Sequence, residues 1–360
     1  MSNAPAQPLR VLLFGYGLAG QVFHAPLLAA SGDYTIDVIV TSAPARSAAA
    51  RADHPGARVV ADADAAFAAA GDCDLAVVCT PNDTHVELAR RALDAGLHVV
   101  VDKPLALTVQ EAESLIEAAD TADRTLTVFQ NRRWDGDFLT VRDVLASGEL
   151  GDVFGFESAF EWWKPEVTAG RKDRTSVADG GGILYDLAPH LIDQALILFG
   201  PVRAVHAEVD ARRPHAVNDD DVLVSLEHES GVRSRLWMSS VAAQGRPRFL
   251  LRGTRGAYVK FGLDPQESQL QAGKRLDDAD FGAEPRDSWG RIGTGADLRE
   301  VPTRRGSYES YYPQLAAALR TGSRPPVDPR DSIAVMRIVE AAHGGSRQAD
   351  TYFIPWSHSG

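Results

Sequence analysis

The chain has 360 residues, which is enough for two domains of ordinary size and a substantial buried core. Its 37 Lys and Arg residues against 49 Asp and Glu residues give a formal net charge of −12, which argues against nucleic acid or an anionic membrane as the main partner. A hydrophobic fraction of 44% and a charged fraction of 24% argue against a disordered or fibrous chain.

The two cysteines and the N-terminal residues indicate the cellular compartment in which the protein is expected. Cys73 and Cys79 form neither a C-x-x-C pair nor a larger framework, so we expect no disulfide scaffold and no zinc cluster. Reduced thiols are typical of the cytoplasm, and residues 1–8 lack the basic and apolar regions of a secretory signal. We therefore expect a cytoplasmic protein, and the apolar run 9–14 is far too short to cross a bilayer.

Residues 9–130 alternate short apolar runs with helical patterns. Strands are expected at 9–14, 34–41, 58–60, 75–79, 97–101 and 126–129, and helices at 18–30, 43–52, 62–70, 83–95 and 108–121. Strands separated by helices indicate β-α-β units and a parallel sheet that is covered on both faces. Right-handed crossovers then predict a doubly wound Rossmann domain, which we assign to residues 1–130.

After about residue 150 the pattern changes to successive strands joined by short turns, which predicts a mostly antiparallel open sheet. Strands are expected at 153–160, 202–209, 222–227, 232–238, 249–252 and 257–261, and helices at 183–199, 308–320 and 331–342. We assign residues 131–360 to a second domain for substrate binding and oligomerisation, with the 331–342 helix packing near the domain junction. The polar, Gly-rich stretch 264–305 predicts a long loop, and such loops are often functional lids.

The turn after the first strand matches the G-x-G-x-x-G pattern in full, and it lies between a strand and a helix as a dinucleotide site requires. The first glycine makes the tight turn, the second lets the backbone approach the pyrophosphate, and the third packs helix against strand. The helix N-terminus supplies N–H donors to the anion. We therefore predict that a dinucleotide binds to Gly15, Tyr16, Gly17, Leu18, Ala19 and Gly20.

The end of the second strand distinguishes NAD from NADP. An NAD site usually places a carboxylate about 20 residues past the glycines to hold the ribose hydroxyls. Residues 39–46 contain no carboxylate, and Asp37 lies too early in the strand. Ser42 and Arg46, with Thr41 beside them, could instead hold a 2′-phosphate. We predict NADP(H) in preference to NAD(H), which remains possible; the alternative interpretation of Arg46 is a solvated helix charge.

The triplet Asp102-Lys103-Pro104 ends the fifth strand, at the edge of the sheet where ligands bind in doubly wound folds. The proline biases Lys103 away from helical geometry, and a cis bond there would aim the lysine sharply. The alternative is an ordinary surface lysine.

A second group of residues follows three consecutive glycines, 180–182, which allow a backbone to approach a ligand closely. Asp186 and His190 are four apart and share a helix face, so the carboxylate can orient the imidazole and raise its basicity. Pro189 removes a helix hydrogen bond beside the histidine, which indicates a functional constraint. An ordinary helix pair is the alternative. Trp163, which follows Trp162 after a strand, is a candidate for stacking on a sugar, although such aromatics are more often core residues.

Together these motifs resemble the Gfo/Idh/MocA (glucose–fructose oxidoreductase / inositol dehydrogenase) family. The resemblance spans nearly the whole chain and rests on the glycine turn, residues 80–85, the 102–104 triplet, and Asp186 with His190. The usual triplet in the family is Glu-Lys-Pro, so Asp102 departs from it by one methylene. Residues 15–28, 130–135 and 185–200 resemble in particular the branch of NADP-dependent scyllo-inositol dehydrogenases.

The resemblance implies hydride transfer between NADP(H) and a secondary alcohol or ketone of a cyclic polyol or sugar. Lys103 and His190 would flank the reacting oxygen as catalytic residues, and Asp186 would hold substrate hydroxyls or His190. Further cofactor contacts are implied for Thr80, Pro81, Asn82, His85, Asp102, Lys103, Asn131 and Arg132. We expect no metal, because the histidines lack the spacing of metal ligands.

Two other functions stay open at this point. One is a reductase of another sugar, such as an anhydro or open-chain ketose. The other is a non-catalytic, nucleotide-sensing regulator on the same fold, although such a regulator would need neither Lys103 nor His190. A homo-oligomer, either dimer or tetramer, is expected because the second-domain sheet pairs between subunits in relatives.

Overall fold

A computed structural model describes residues 7–345 and the backbone of 352–353, so most of the 1–8 segment discussed above lies outside the described residues. The first sheet has six parallel strands in the order β3-β2-β1-β4-β5-β6, which confirms the doubly wound fold. Its strands are β1 Leu9–Phe14, β2 Tyr34–Val40, β3 Arg58–Val60, β4 Leu75–Val78, β5 His98–Asp102 and β6 Leu126–Phe129. Four of the six residues of β1 and all four of β4 are buried, because helices cover both faces of the sheet.

The helices that flank this sheet are α1 Ala25–Ser31, which follows wide helical turns at Ala19–His24, α2 Pro44–Asp53, α3 Ala63–Ala69, α4 His85–Asp94 and α5 Val109–Ala122. Two of them, α3 and α5, begin at side-chain caps. Thr108 and Glu111 form a capping box at the start of α5, and the Asp62 carboxylate accepts the Ala65 N–H at 2.8 Å.

The second sheet has nine strands, and each of its pairings is antiparallel except that of β7 with β10. Its order is β14-β13-β12-β11-β7-β10-β9-β8-β15. The strands are β7 Val153–Glu161, β8 Val202–Asp210, β9 Asp221–His228, β10 Arg233–Ser239, β11 Phe249–Gly253, β12 Ala257–Lys260, β13 Gly290–Thr294, β14 Asp297–Val301 and β15 Tyr352–Phe353. A mostly antiparallel sheet was predicted, and it is confirmed.

Six helices follow the first sheet along the chain: α6 Gly136–Ser147, α7 Arg171–Arg174, α8 Ile183–Phe199, α9 Gln266–Gln271, α10 Tyr311–Thr321 and α11 Asp331–Gly345. Of these, α9 and α10 pack against the first unit. The helix expected at 331–342 forms most of α11, which packs against α5 of the first unit as well as α8 and β8 of the second. The Glu340 carboxylate accepts the Val109 N–H at 2.7 Å, so α11 also helps to hold the start of α5. Within the described residues, no helix is both long and apolar enough to cross a bilayer.

The prediction of one long loop at 264–305 is wrong. Helix α9 and strands β13 and β14 lie within it, and the two strands extend the edge of the second sheet. Sequence patterns miss such strands because an edge strand with one exposed face carries charged residues instead of an apolar run. The buried ion pair of Lys260 and Glu284, at 3.0 Å, further fixes this segment to β12.

The chain forms two hydrophobic cores, one under each sheet. The first core also takes in residues from far along the chain: Phe281, Tyr308, Tyr311, Tyr312, Leu315, Ala316 and Val327. The Tyr312 hydroxyl contacts His24 Nδ1 at 2.7 Å, inside this core. The division of the chain at residue 130 therefore stays a prediction, since part of the first core is supplied by residues 281–327.

Candidate active site

The glycine turn between β1 and α1 has the geometry that a dinucleotide requires. At Gly15, where φ is +103°, a Cβ would lie 2.7 Å from the Cys79 carbonyl oxygen, and at Gly20 it would lie 2.1 Å from the Gly15 carbonyl oxygen. At Gly17, by contrast, a Cβ would meet only the Arg46 guanidinium, 3.7 Å away. The protein itself therefore requires the first and third glycines, whereas the second leaves space that a pyrophosphate can use.

The end of β2 has no carboxylate available for a ribose. Asp37 lies in mid-strand and accepts a hydrogen bond from Arg10 Nε at 2.6 Å. Thr41 is buried, with its N–H bonded to the Val60 carbonyl at 3.0 Å, while Ser42 and Arg46 are exposed. Arg46 makes no hydrogen bond or ion pair with any described residue. Its guanidinium is thus free to bind an anion beside the glycine turn.

Tyr16 and Leu18, the variable positions of the turn, differ in their surroundings. The Tyr16 side chain is buried, and its hydroxyl donates to the Asp53 carboxylate at 2.8 Å. Tyr16 therefore fixes the end of α2, the helix that carries Arg46. Leu18 is 52% exposed at the start of the helical turns and is available to a ligand.

The segment after β4 connects the two units. Asn82 Nδ2 donates to the Gly180 carbonyl at 3.1 Å, and the Thr80 and Thr84 hydroxyls lie 2.7 Å apart. His85 is buried, with Nδ1 2.8 Å from the Pro104 carbonyl and Nε2 2.9 Å from the Thr80 carbonyl. Both nitrogens of His85 are thus engaged by the backbone, so this residue positions the loops of the site and has no free ring nitrogen for a ligand.

Lys103 lies directly after β5, and its peptide bond to Pro104 is cis. Its N–H donates to the Asp102 carboxylate at 2.8 Å. Its Nζ reaches α8, where it donates to the Asp186 carbonyl at 2.6 Å and to Asp186 Oδ1 at 2.9 Å. The structure thus brings together two of the predicted site residues that are 83 positions apart.

The Asp186 carboxylate is held by two lysines. Oδ1 accepts from Lys103, and Oδ2 accepts from Lys172 Nζ at 2.7 Å. Burial alone would raise the pKa of Asp186, but the two ammonium groups outweigh it and hold this pKa well below its usual range. The sequence predicted that Asp186 could orient His190; no hydrogen bond joins them in the described structure, because the lysines take both carboxylate oxygens.

His190 lies one turn further along α8 and is 6% exposed. Its Nδ1 is buried without a hydrogen-bond partner, and its ring meets the Phe160 ring edge to face at 6.4 Å. Burial, and then the charges of Lys103 and Arg132, lower the pKa of His190 well below its usual value. The imidazole is therefore neutral at neutral pH and can accept a proton.

The glycines at 180–182, which the sequence suggested could let a ligand approach closely, pack instead against other residues of the protein. A Cβ at Gly181 would lie 2.0 Å from the Thr175 carbonyl oxygen, and one at Gly182 would lie 2.1 Å from Asp219 Oδ1. The Asp219 carboxylate also accepts the Leu184 N–H at 2.7 Å, at the start of α8. At Gly181 and Gly182 the close approach is therefore made by other residues of this protein. These contacts set the orientation of α8.

Arg132 belongs to a buried network that the sequence did not reveal. Arg132 and Arg248 stack on the Phe160 ring at 4.8 Å and 4.2 Å, and Gln194 bonds to both arginines at 2.9 Å. Arg132 also pairs with Glu267 at 2.5 Å. Local sequence holds no sign of this network, because its members are separated by up to 135 residues. Asn131, next to Arg132, is buried as well.

The two tryptophans after β7 have different surroundings. Trp162 stacks on Phe160, with ring centroids 6.2 Å apart, and so lies closer to the His190 environment. Trp163 is 59% exposed, and its backbone bridges to Val241. A substrate contact by Trp163 stays a prediction.

Comparisons with known proteins match both units. The model described as "Oxidoreductase family, NAD-binding Rossmann fold" matches residues 9–130, and the "GFO/IDH/MocA C-terminal domain" model matches residues 138–259. Over 350 residues the chain is 35% identical to scyllo-inositol 2-dehydrogenase (NADP(+)) IolW of Bacillus subtilis (strain 168), covering 96% of each chain.

Two further proteins are similar over almost their whole length. The oxidoreductase YdgJ of Escherichia coli (strain K12), itself uncharacterized, is 40% identical over 337 residues, covering 92% of this chain and 94% of that one. The solved structure of the YPO2259 protein of Yersinia pestis superposes with a TM-score of 0.90 at 39% identity, covering 99% of this chain and 100% of that chain.

Proposed function

This chain belongs to the Gfo/Idh/MocA oxidoreductase family, and on that premise we propose that it transfers a hydride between NADP(H) and a secondary alcohol or ketone of a cyclic polyol or sugar. The observation that carries the proposal is the convergence of Lys103, Asp186 and His190 at the carboxyl edge of the first sheet. Ligands bind at this edge in doubly wound folds. A nucleotide sensor would have no use for a buried neutral histidine beside a lysine.

The proposed chemistry assigns one task to each residue. A bound nicotinamide supplies the hydride acceptor or donor, and the protein supplies orientation and proton transfer. His190, which is neutral, accepts the proton of the substrate hydroxyl during oxidation. Lys103 stabilises the negative charge that develops on the same oxygen. The Asp186 carboxylate holds the Lys103 ammonium group in position for this role.

Several features support NADP(H) over NAD(H). The Arg46 guanidinium is exposed beside the glycine turn, where it can bind a 2′-phosphate. No acidic side chain is available at the end of β2 to hold a ribose hydroxyl. The similar protein from B. subtilis is named as an NADP(+) enzyme, in agreement with this choice.

The proposal is tested by a matched titration of the protein with NADPH and NADH, followed by a screen of inositols, sugars and their ketones with the cofactor that binds more tightly. We expect tighter binding of NADPH and turnover of at least one cyclic polyol. Turnover restricted to open-chain or anhydro sugars would favour the other reductase function. Binding of NADPH without turnover of any compound would favour a regulator.

Replacing Arg46 by alanine should weaken NADPH binding by about 10- to 100-fold and leave NADH binding unchanged, because only the 2′-phosphate loses a charge-assisted contact. Fluorescence titration with both cofactors measures this. Arg51→Ala is the matched control, since Arg51 lies on the same helix and bonds only to Ser47. Equal losses for both cofactors would contradict the assignment of Arg46 to the 2′-phosphate.

The rate of alcohol oxidation should persist into mildly acidic solution. Because burial and the neighbouring cations lower the pKa of His190, the neutral base remains populated below pH 6.5, the usual pKa of histidine. We expect the acid limb of the pH profile of kcat/KM to lie below that value. An acid limb centred at or above neutral pH would show that another group is the base.

We also propose a cytoplasmic homo-oligomer. Helices α8 and α11 pack against the second sheet, and Leu223 and Trp237 stay half-buried on two of its central strands, facing away from the Val222 and Met238 side. Phe261, at the end of β12, is 57% exposed. Burying such apolar residues would favour self-association. Light scattering of the purified protein measures its mass, and a monomer would contradict the proposal.

A further inference from the structure

We infer that Lys172 is a substrate-positioning residue. With Lys103 and Asp186 it forms a three-charge cluster, and its free N–H groups bind a second oxygen of the substrate beside the reacting oxygen. The inference rests on the proposed function and goes beyond it by assigning a specificity role outside the motifs that the sequence revealed.

Buried residues hold the backbone at Lys172 in place, although the Lys172 side chain is 78% exposed. The amide of Asn218, itself buried, donates to the Lys172 carbonyl at 2.8 Å and to the Thr175 carbonyl at 2.9 Å. The next residue, Asp173, pairs with the buried Arg213 at 2.9 Å. An ordinary surface lysine lies on a backbone with no such anchors. Here Asn218 and Arg213 hold α7 at Lys172 and at the residues directly after it.

The cluster has more donors than acceptors. Each ammonium has three N–H groups. Lys103 uses two of them on Asp186 and Lys172 uses one, which leaves one donor on Lys103 and two on Lys172. Both Asp186 oxygens are taken, and the net charge of the cluster is +1. Such a cluster binds oxygen acceptors, and adjacent oxygens of a polyol or a hydroxyketone provide two of them at suitable spacing.

Stability does not account for this ion pair. An exposed pair of this kind contributes little to the free energy of unfolding. The same turn also reaches the segment after β4, since Arg171 pairs with Asp83 at 3.0 Å. The side chains of α7 therefore reach both Asp186 on α8 and Asp83 in the segment after β4.

The test uses the full chain and the polyol that the wild-type protein turns over fastest, at saturating cofactor. In Lys172→Met we expect KM to rise by about 10- to 100-fold while kcat stays within about threefold, because a contact made equally to substrate and transition state changes binding alone. Lys172→Arg should restore most of the loss, since it keeps the charge. Arg174→Met is the matched control: Arg174 lies on the same turn, is exposed, and has no partner among the described residues.

Two further measurements separate positioning from folding. Asn218→Ala should raise KM in the wild-type background and add little in the Lys172→Met background, because both changes act on one contact. A substrate analogue that lacks the hydroxyl next to the reacting carbon should give the wild-type protein and Lys172→Met the same KM.

The possible outcomes are distinct. A KM of Lys172→Met within twofold of wild type overturns the inference and leaves the proposed function standing. A loss of kcat and thermal stability that Lys172→Arg does not restore also overturns it, in favour of a structural role. If the wild-type protein turns over no polyol or sugar, the proposed function fails, and this inference fails with it.

Discussion

Replacing His190 by alanine should lower kcat by about 10²- to 10⁴-fold while NADPH still binds, because the variant loses the base that accepts the substrate proton. The imidazole is buried and neutral, and it follows Asp186 by one turn of α8, on the helix that Lys103 reaches. Steady-state kinetics and a cofactor titration measure the two effects separately. His206→Ala, which removes a half-exposed histidine on β8, serves as the control. Turnover close to that of wild type would exclude His190 as the base.

Lys103→Ala should cause a loss of similar size for a different reason. The ammonium group stabilises charge on the reacting oxygen, and its removal also leaves Asp186 with Lys172 as its single cationic partner. Because the two residues act on one oxygen, the double variant should be little worse than the more damaged single variant. Fully additive losses would indicate that Lys103 and His190 act at separate steps.

Two alanine substitutions in the glycine turn should give opposite results. In Gly17→Ala the new Cβ meets only the mobile end of Arg46, so the protein should fold normally. It would, however, fill space that the pyrophosphate needs. We expect NADPH binding to weaken by about 10- to 100-fold, which corresponds to an overpacking cost of about 1–3 kcal/mol.

In Gly20→Ala the new Cβ would lie 2.1 Å from the Gly15 carbonyl oxygen, which belongs to the backbone and cannot move aside at low cost. We expect the free energy of unfolding to fall by about 1–3 kcal/mol. Thermal unfolding without cofactor distinguishes the two variants. Equal unfolding temperatures would show that the third glycine is not required by packing, and an unchanged NADPH affinity of Gly17→Ala would remove the ligand role of the second.

The parallel sheet could be predicted because its physical cause is local. Strands buried on both faces are continuous apolar runs, and two of the helices between them begin at side-chain caps, as Thr108 and Glu111 show for α5. Helix α6 was missed for the opposite reason. It begins at a glycine and buries Asp137, whose carboxylate lies 3.4 Å from Arg248 Nε, so its polar and apolar positions do not separate into two faces.

The candidate site was predictable where a motif fixes a residue to the end of an element, as for Lys103 and for Asp186 with His190. The contacts between these residues were not predictable. That Asp186 binds two lysines follows from the course of the chain through α7 and from Asn218, which anchors it. Lys172 itself stands among other charged residues at 171–174, and nothing in its neighbours distinguishes it.

The first hydrophobic core includes Tyr308, Tyr311, Tyr312 and Val327, which lie far from the first 130 residues in sequence. During synthesis, domains usually fold as they leave the ribosome, from the N-terminus onward. Here the nucleotide-binding unit cannot complete its interior until about nine-tenths of the chain has been translated. Until then, the first unit of the nascent chain exposes the apolar surface that these later residues cover. A chain truncated before Tyr308 would lack a stable cofactor site.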